Sequence, residues 1–210
     1  MDLIRASVLL LSLALASCMV VDESSQPYGR VGIALPDPET ALDSLVAPEQ
    51  LGDFRLQGTL QPSERELKLF RYVSERDESL VLEFALYPIP GGWEDLPPLR
   101  MVDGHFAQIR EQGIVKLARR SRRDVVEVLG DSLSEPELLY PIAVTELRSR
   151  RGATAMTDVL MLTADAPLFV RLRLESGVAD ASALHPTARD ALIAFVLAAR
   201  ASHTADHAEP

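Results

Sequence analysis

Six segments with strand-like hydrophobic patterns occur in two groups of three, and a segment with helical periodicity follows each group. Hydrophobic residues alternate with others at 54–60, 67–72, 80–86, 138–144 and 168–174, and the remaining predicted strand is 156–163. A period of two is typical of strands, and successive strands with short connections pair as antiparallel meanders. The pattern therefore predicts an α+β domain, with an antiparallel six-stranded sheet in a β-β-β-α-β-β-β-α order and helices packed on the sheet.

The first predicted helix begins near Leu99, and the last begins near Pro186. Gly113 interrupts the apolar stripe of the first helix, and we expect the helix to continue past it to about Arg120. The order of elements is loosely similar to that of the PsbP/Mog1-like folds, which also pack helices on an antiparallel sheet. That similarity concerns topology, involves no shared motif and implies no particular function.

The chain contains one cysteine, Cys18, and it ends a short apolar run in the sequence Leu15-Ala16-Ser17-Cys18. This sequence resembles the lipobox of bacterial lipoproteins, in which the cysteine is acylated with diacylglycerol and palmitate-type chains and becomes the first mature residue. The resemblance implies a signal peptide over 1–17 and a membrane anchor at Cys18. Because Met19 follows the cysteine where aspartate would favour the inner membrane, it also implies an outer-membrane lipoprotein facing the periplasm, if the source is Gram-negative.

Removal of the signal peptide leaves 193 residues, enough for one domain with a substantial core. Scattered prolines predict a flexible spacer over 18–50, followed by a single domain over 51–200 and a disordered tail over 201–210. With Cys18 acylated, no thiol remains for a disulfide, thiol catalysis or cysteine-ligated metal. The net charge of −10 argues against nucleic-acid binding, and no second apolar run is long enough to cross a membrane.

The sequence Gly130-Asp131-Ser132-Leu133 resembles the nucleophile block of the GDSL esterases, and Leu184-His185-Pro186 resembles their histidine block. The resemblance implies Ser132 as nucleophile and His185 as base. However, Ser182 stands where that family has an aspartate, and the chain contains no asparagine for the oxyanion hole. We therefore interpret 130–132 as a turn, and the esterase remains the less favoured alternative.

Two pairs of polar residues have spacings that invite a functional interpretation. Asp103 and His105 are two apart on the predicted first helix, which points their side chains in different directions and favours a solvated face. His203 and His207 are four apart, but they lie in the predicted tail. We predict no metal site and no cofactor.

A basic cluster on the first helix and a lone tryptophan are the candidate contact residues. The cluster comprises Lys116, Arg119, Arg120, Arg122 and Arg123. It is either a solvated face paired with nearby acids or a contact for anionic lipid head groups or an acidic partner. Arg148, Arg150 and Arg151 form a second cluster, which has the same two interpretations. Trp93 either staples its loop onto the sheet edge or anchors an envelope protein partner.

The favoured prediction is a non-enzymatic, membrane-tethered domain of the cell envelope that binds a protein or an apolar ligand. An assembly-support factor for a larger envelope complex is a second prediction, with the basic helix or the Trp93 loop as its contact surface. A hydrolase using Ser132 and His185 is a third, and it requires those two side chains to meet.

Overall fold

The computed structural model describes residues 37–62, 66–121, 125–151, 153–177 and 183–206. Its helices are α1 (Pro38–Ser44), α2 (Pro98–Ser121) and α3 (Leu184–Asp206). Its strands are β1 (Gln50–Leu51), β2 (Phe54–Leu60), β3 (Lys68–Ser74), β4 (Val81–Pro88), β5 (Val126–Leu133), β6 (Ile142–Arg151), β7 (Thr154–Asp165) and β8 (Leu168–Ser176).

All eight strands belong to one antiparallel sheet with the spatial order β1-β2-β3-β4-β8-β7-β6-β5. Each half of the chain forms a four-stranded meander, and the two meanders join where β4 pairs with β8. The predicted α+β class and antiparallel sheet are confirmed, as is the continuation of the first helix past Gly113.

The predicted count of six strands is wrong, because β1 and β5 also belong to the sheet. β1 has two residues, too few to show any periodicity. β5 contains Gly130, Asp131 and Ser132, which we interpreted as a turn. These polar residues are accommodated in a strand because β5 lies at the sheet edge and pairs only with β6.

The helices cover the sheet from both sides. On one side, α1 and α3 pack on a core that includes Tyr72, Phe84 and Phe195. On the other side, α2 packs chiefly on β6 and β7, over a core that includes Leu160 and Phe169. β7 therefore has hydrophobic residues facing both ways, and its residues 157–164 are all buried.

The folded domain starts earlier than predicted, because α1 lies within the segment assigned to the spacer. Asp37 caps this helix by accepting a hydrogen bond from the Thr40 amide, and Ala41 and Leu42 are buried against the sheet. At the other end of the domain, α3 extends to Asp206, into the segment predicted as a tail.

Lys68 on β3 fixes the end of α1 to the sheet. Its buried ammonium donates hydrogen bonds to the carbonyl oxygens of Leu42 at 2.8 Å and Leu45 at 3.0 Å. Burial lowers the pKa of Lys68, whereas the nearby Asp43 carboxylate raises it. A cation is favourable here because the last carbonyls of a helix have no partners within the helix.

Candidate ligand-binding cleft

The structure does not bring Ser132 and His185 together. Ser132 lies on β5 directly opposite Ala143, which belongs to the core under α2, and its hydroxyl donates to Asp103 on α2 at 2.6 Å. His185 lies in the first turn of α3, on the opposite side of the sheet. Because the sheet separates the two side chains, this serine and histidine do not form a catalytic pair.

The prediction that Asp103 and His105 form a solvated helix face is wrong. Asp103 accepts the Ser132 hydrogen bond, while the partly buried His105 ring stacks on Phe169 with 4.5 Å between ring centroids. His105 Nε2 and the Tyr87 hydroxyl share a hydrogen bond of 2.9 Å. The two residues point in different directions, as predicted, but each meets a neighbouring strand because α2 lies on the sheet.

Burial and the nearby Arg171 determine the ionisation of His105 and Tyr87. Burial lowers the pKa of His105, and the positive charge of Arg171 lowers it further, against a smaller opposing effect of Gln108. Burial raises the pKa of Tyr87 to about 12, although Arg171 acts in the opposite direction. A neutral imidazole beside a neutral phenol is therefore the form that the fold favours at neutral pH.

Trp93 belongs to the same aromatic cluster. Its ring lies 5.8 Å from that of His105 and 6.4 Å from that of Phe169, measured between centroids. The indole thus holds its loop against α2 and the central strand β8, rather than against a sheet edge. Contact between the exposed part of Trp93 and a partner stays a prediction.

Only part of the predicted basic cluster can be placed. Lys116 and Arg119 are exposed on α2, whereas Arg122 and Arg123, like Cys18, lie outside the described residues. The backbone of Arg120 belongs to α2. In the second cluster Arg148, which is half exposed, pairs with the buried Glu146 at 3.0 Å.

His203 lies in α3, and His207 lies outside the described residues. In the part of the chain that the structure describes, no three His, Cys, Asp or Glu side chains are grouped to hold a metal ion. None of the described helices combines the length and hydropathy that a membrane span requires.

A cleft of about 550 Å³ lies between α2 and the half of the sheet that α2 leaves uncovered. It exists because α2 packs chiefly on β6 and β7 and reaches β4 only at its Tyr87 end, so that in the described residues no helix covers the same face of β2, β3 and the rest of β4. Leu60, Leu69, Ile109, Leu117 and Leu160 contribute apolar side chains to its walls. Leu60, which lines the cleft, is 59% exposed and is therefore accessible from solvent.

Small residues keep the cleft open. A methyl group built on Gly58 of β2 has no atom within 4 Å, and one built on Gly113 of α2 would lie 2.9 Å from a Leu160 methyl. Gly113 therefore allows α2 to approach the sheet closely at one wall, while Gly58 leaves space at the other.

Arg173, which lines the cleft, pairs with one acid of the cleft, Glu83, and with two acids beside it, Asp158 and Glu175. The guanidinium of Arg173 on β8 donates to Asp158 at 2.7 Å and also pairs with Glu175 at 2.8 Å and Glu83 at 3.4 Å. Burial lowers the pKa of Arg173, but the carboxylates of Asp158, Glu175 and Glu83 together raise it above its ordinary value. These three acids are thus held by a cation from the same sheet.

Three further cations line the cleft: Arg71 on β3, Lys116 on α2 and Arg171 on β8. Within the described residues, no carboxylate lies within the 4.0 Å of an ion pair from any of the three. Glu83 is the cross-strand neighbour of Arg71, but its close contact is with Arg173. An acidic protein thus presents an excess of positive charge at this cleft.

Sequence reasoning identified Lys116 but missed the cleft. The alternation of β8 shows that Arg171, Arg173 and Glu175 share one face, which reads as an ordinary solvated face. The missing information is the pairing of β8 with β4, which places this charged face in the middle of the sheet, beside α2.

No protein-family model matches the chain, and no curated protein is significantly similar to it. Among solved structures, it is similar to cyanobacterial PsbP (CyanoP) from Synechocystis sp. PCC 6803, with 14% sequence identity and a TM-score of 0.43 over 81% of this chain and 94% of that one. A likeness at this TM-score carries no argument about the topology or the function of this chain.

Proposed function

We propose that the chain is a non-enzymatic binding or assembly-support domain of the cell envelope, tethered to a membrane through lipid on Cys18. The cleft between α2 and the open half of the sheet carries this proposal. It is concave, has apolar walls and contains several convergent polar groups, the combination typical of ligand sites. Its volume falls within the range of roughly 300–1,000 Å³ that such sites occupy.

The lipobox-like sequence at 15–18 supports the anchor. Two or more acyl chains bury enough methylene groups to hold a protein stably at a bilayer, whereas a single chain does not. The separation of Ser132 from His185 by the sheet supports a binding role over hydrolysis.

Photo-crosslinking in intact cells tests the binding function. The full chain carries p-benzoylphenylalanine at Leu60, on the cleft rim, or at Val46, an exposed residue that does not line the cleft. We expect a discrete adduct from Leu60 and none from Val46. Equal labelling at both positions, or no adduct at Leu60, contradicts binding in the cleft.

Mass spectrometry of the amino terminus tests the anchor separately. We expect the membrane-extracted protein to begin at Cys18 and to carry the mass of diacylglyceryl and acyl groups. Globomycin, which blocks lipoprotein signal cleavage, should leave the precursor intact. An unmodified Cys18 contradicts the anchor and leaves the crosslinking result unaffected.

A further inference from the structure

Three cations in the cleft, which form no ion pair with any carboxylate in the described part of the chain, are the basis for assigning its ligand. Arg71, Lys116 and Arg171 come from two strands and a helix, and all three line one cavity. Each is a hydrogen-bond donor and none is an acceptor, so a ligand group that pairs with all three is an anion with acceptor oxygens. Glu83, the acid that lines the cleft, pairs with Arg173 and does not fill this role.

The rest of the cleft requires an apolar ligand body. Leu60, Leu69 and Ile109 lie along the walls, and Gly58 opens space between β2 and α2. The backbone groups of β3 and β4 beneath are paired within the sheet, with β2 on one side and β8 on the other. On the wall formed by α2, Gln112 contributes an uncharged polar side chain with an amide group.

These features favour an acyl chain over a peptide segment. A peptide lying on the apolar walls would need partners for its N–H and C=O groups, and unpaired backbone groups in such a place are costly. An acyl chain has no polar groups along its length. We therefore propose that the cleft binds one molecule of a single-chain amphiphile, an inference that rests on the proposed binding function. The anionic head group of the amphiphile lies at Arg71, Lys116 and Arg171. Its acyl chain lies along Leu60, Leu69 and Ile109.

Calorimetric titration of the full chain carrying Cys18→Ser, which removes the protein's own acylation site, tests the proposal. The probes are hexadecanoate, hexadecyl phosphate and hexadecanol, each below its aggregation limit. We expect both anions to bind in a one-to-one ratio. The neutral alcohol should bind at least about 10-fold more weakly, because a charge-assisted hydrogen bond contributes roughly 1.5–3 kcal/mol.

Two kinds of variant locate the bound amphiphile. Gly58→Leu should weaken hexadecanoate binding at least about 10-fold, because its side chain occupies open cleft space without striking the protein. Arg171→Gln should weaken the two anions and leave hexadecanol unchanged. The matched controls are Gly104→Leu, an exposed glycine of α2 with open space around it, and Arg119→Gln, which lies on α2 outside the cleft; both should bind normally.

Three outcomes overturn the proposal. They are equal binding of alcohol and acid, binding that Gly58→Leu leaves intact in a folded protein, and binding only to anionic phospholipid vesicles or to an acidic peptide. Circular dichroism of each variant verifies folding. If Leu60 crosslinks to a protein and no amphiphile binds, this ligand is refuted and the proposed function is preserved. If Leu60 gives no adduct and no amphiphile binds, both the ligand and the proposed function are refuted.

Discussion

At the scale of single residues, charged and titratable groups in this domain are positioned by the strands that face them. His105 was visible in the sequence only as a polar residue on a helix, yet the fold places it between Tyr87, Phe169 and Trp93. Its position depends on the distance of α2 from β4 and β8, which no local pattern encodes. Lys68 is similar, since the pattern of its strand gives no sign of the α1 carbonyl oxygens to which its ammonium donates.

The buried position of His105 predicts a dependence of stability on pH. Burial and Arg171 hold its pKa in the folded chain below the ordinary value of 6.5. Between those two pKa values the unfolded chain binds a proton that the folded chain excludes, so the free energy of unfolding falls as the pH is lowered through this window. Above pH 6.5 this contribution is fully present.

Urea unfolding between about pH 4 and about pH 8 tests this dependence, with His105→Gln as the comparison. Glutamine retains a polar group for Tyr87 but does not titrate. We expect the acid-induced loss of stability to be smaller in His105→Gln than in the unaltered protein. Parallel curves for the two proteins would show that the histidine does not titrate as described.

At the scale of elements, regular periodicity was the signal that allowed prediction. β2, β3, β4 and β8 have alternating sequences and lie close to their predicted positions, as does β7, whose buried residues form a continuous run. β6 begins at Ile142, four residues after the predicted start, and Leu138 is nevertheless buried. α1 has only seven residues and is stabilised by its cap, Lys68 and burial, so its own sequence gives too weak a signal.

The packing of α2 predicts opposite responses from two of its glycines. A methyl group at Gly104 meets nothing within 4 Å, so Gly104→Ala should stabilise the protein by up to about 1 kcal/mol through helix propensity. At Gly113 the same methyl displaces a Leu160 methyl, which should cancel most of that gain. Gly113→Leu should cost about 1–3 kcal/mol by overpacking.

Urea unfolding of the four variants, each glycine changed to alanine and to leucine, measures these differences. Gly104→Leu is the size-matched control for Gly113→Leu. A Gly113→Leu protein as stable as Gly104→Leu would mean that α2 does not approach β7 as closely as described.

At the scale of the whole described domain, the two meanders depend on each other. β4 and β8 join them through eight residue pairs, and α3, from the second half of the chain, packs on strands of the first. The Phe195 ring stacks on Phe84 with 4.2 Å between centroids and lies 5.6 Å from Phe70. The sequence predicted two halves with similar element order. How the halves join could not be predicted, because the join depends on contacts between residues that are far apart along the chain.

Removal of the Phe195 ring should therefore weaken both halves together. We expect Phe195→Ala to cost about 3–5 kcal/mol while unfolding remains a single transition. Far-ultraviolet circular dichroism and the fluorescence of Trp93, which lies on the α2 side of the sheet, should report the same midpoint. Leu197→Ala, a more exposed change in the same helix, should cost under about 1 kcal/mol. Separate midpoints for the two probes would contradict this interdependence.

The attachment of α1 to the sheet also sets a distance. Because Lys68 and Asp37 fix the chain from residue 37 onward, only residues 19–36 separate the folded domain from the proposed anchor at Cys18. Eighteen residues extend to at most about 65 Å, at roughly 3.3–3.6 Å per residue. With the proposed anchor, the domain would reach nearly half less far from the bilayer than with a spacer ending at residue 50, so the proposed exchange of an amphiphile would take place close to the membrane.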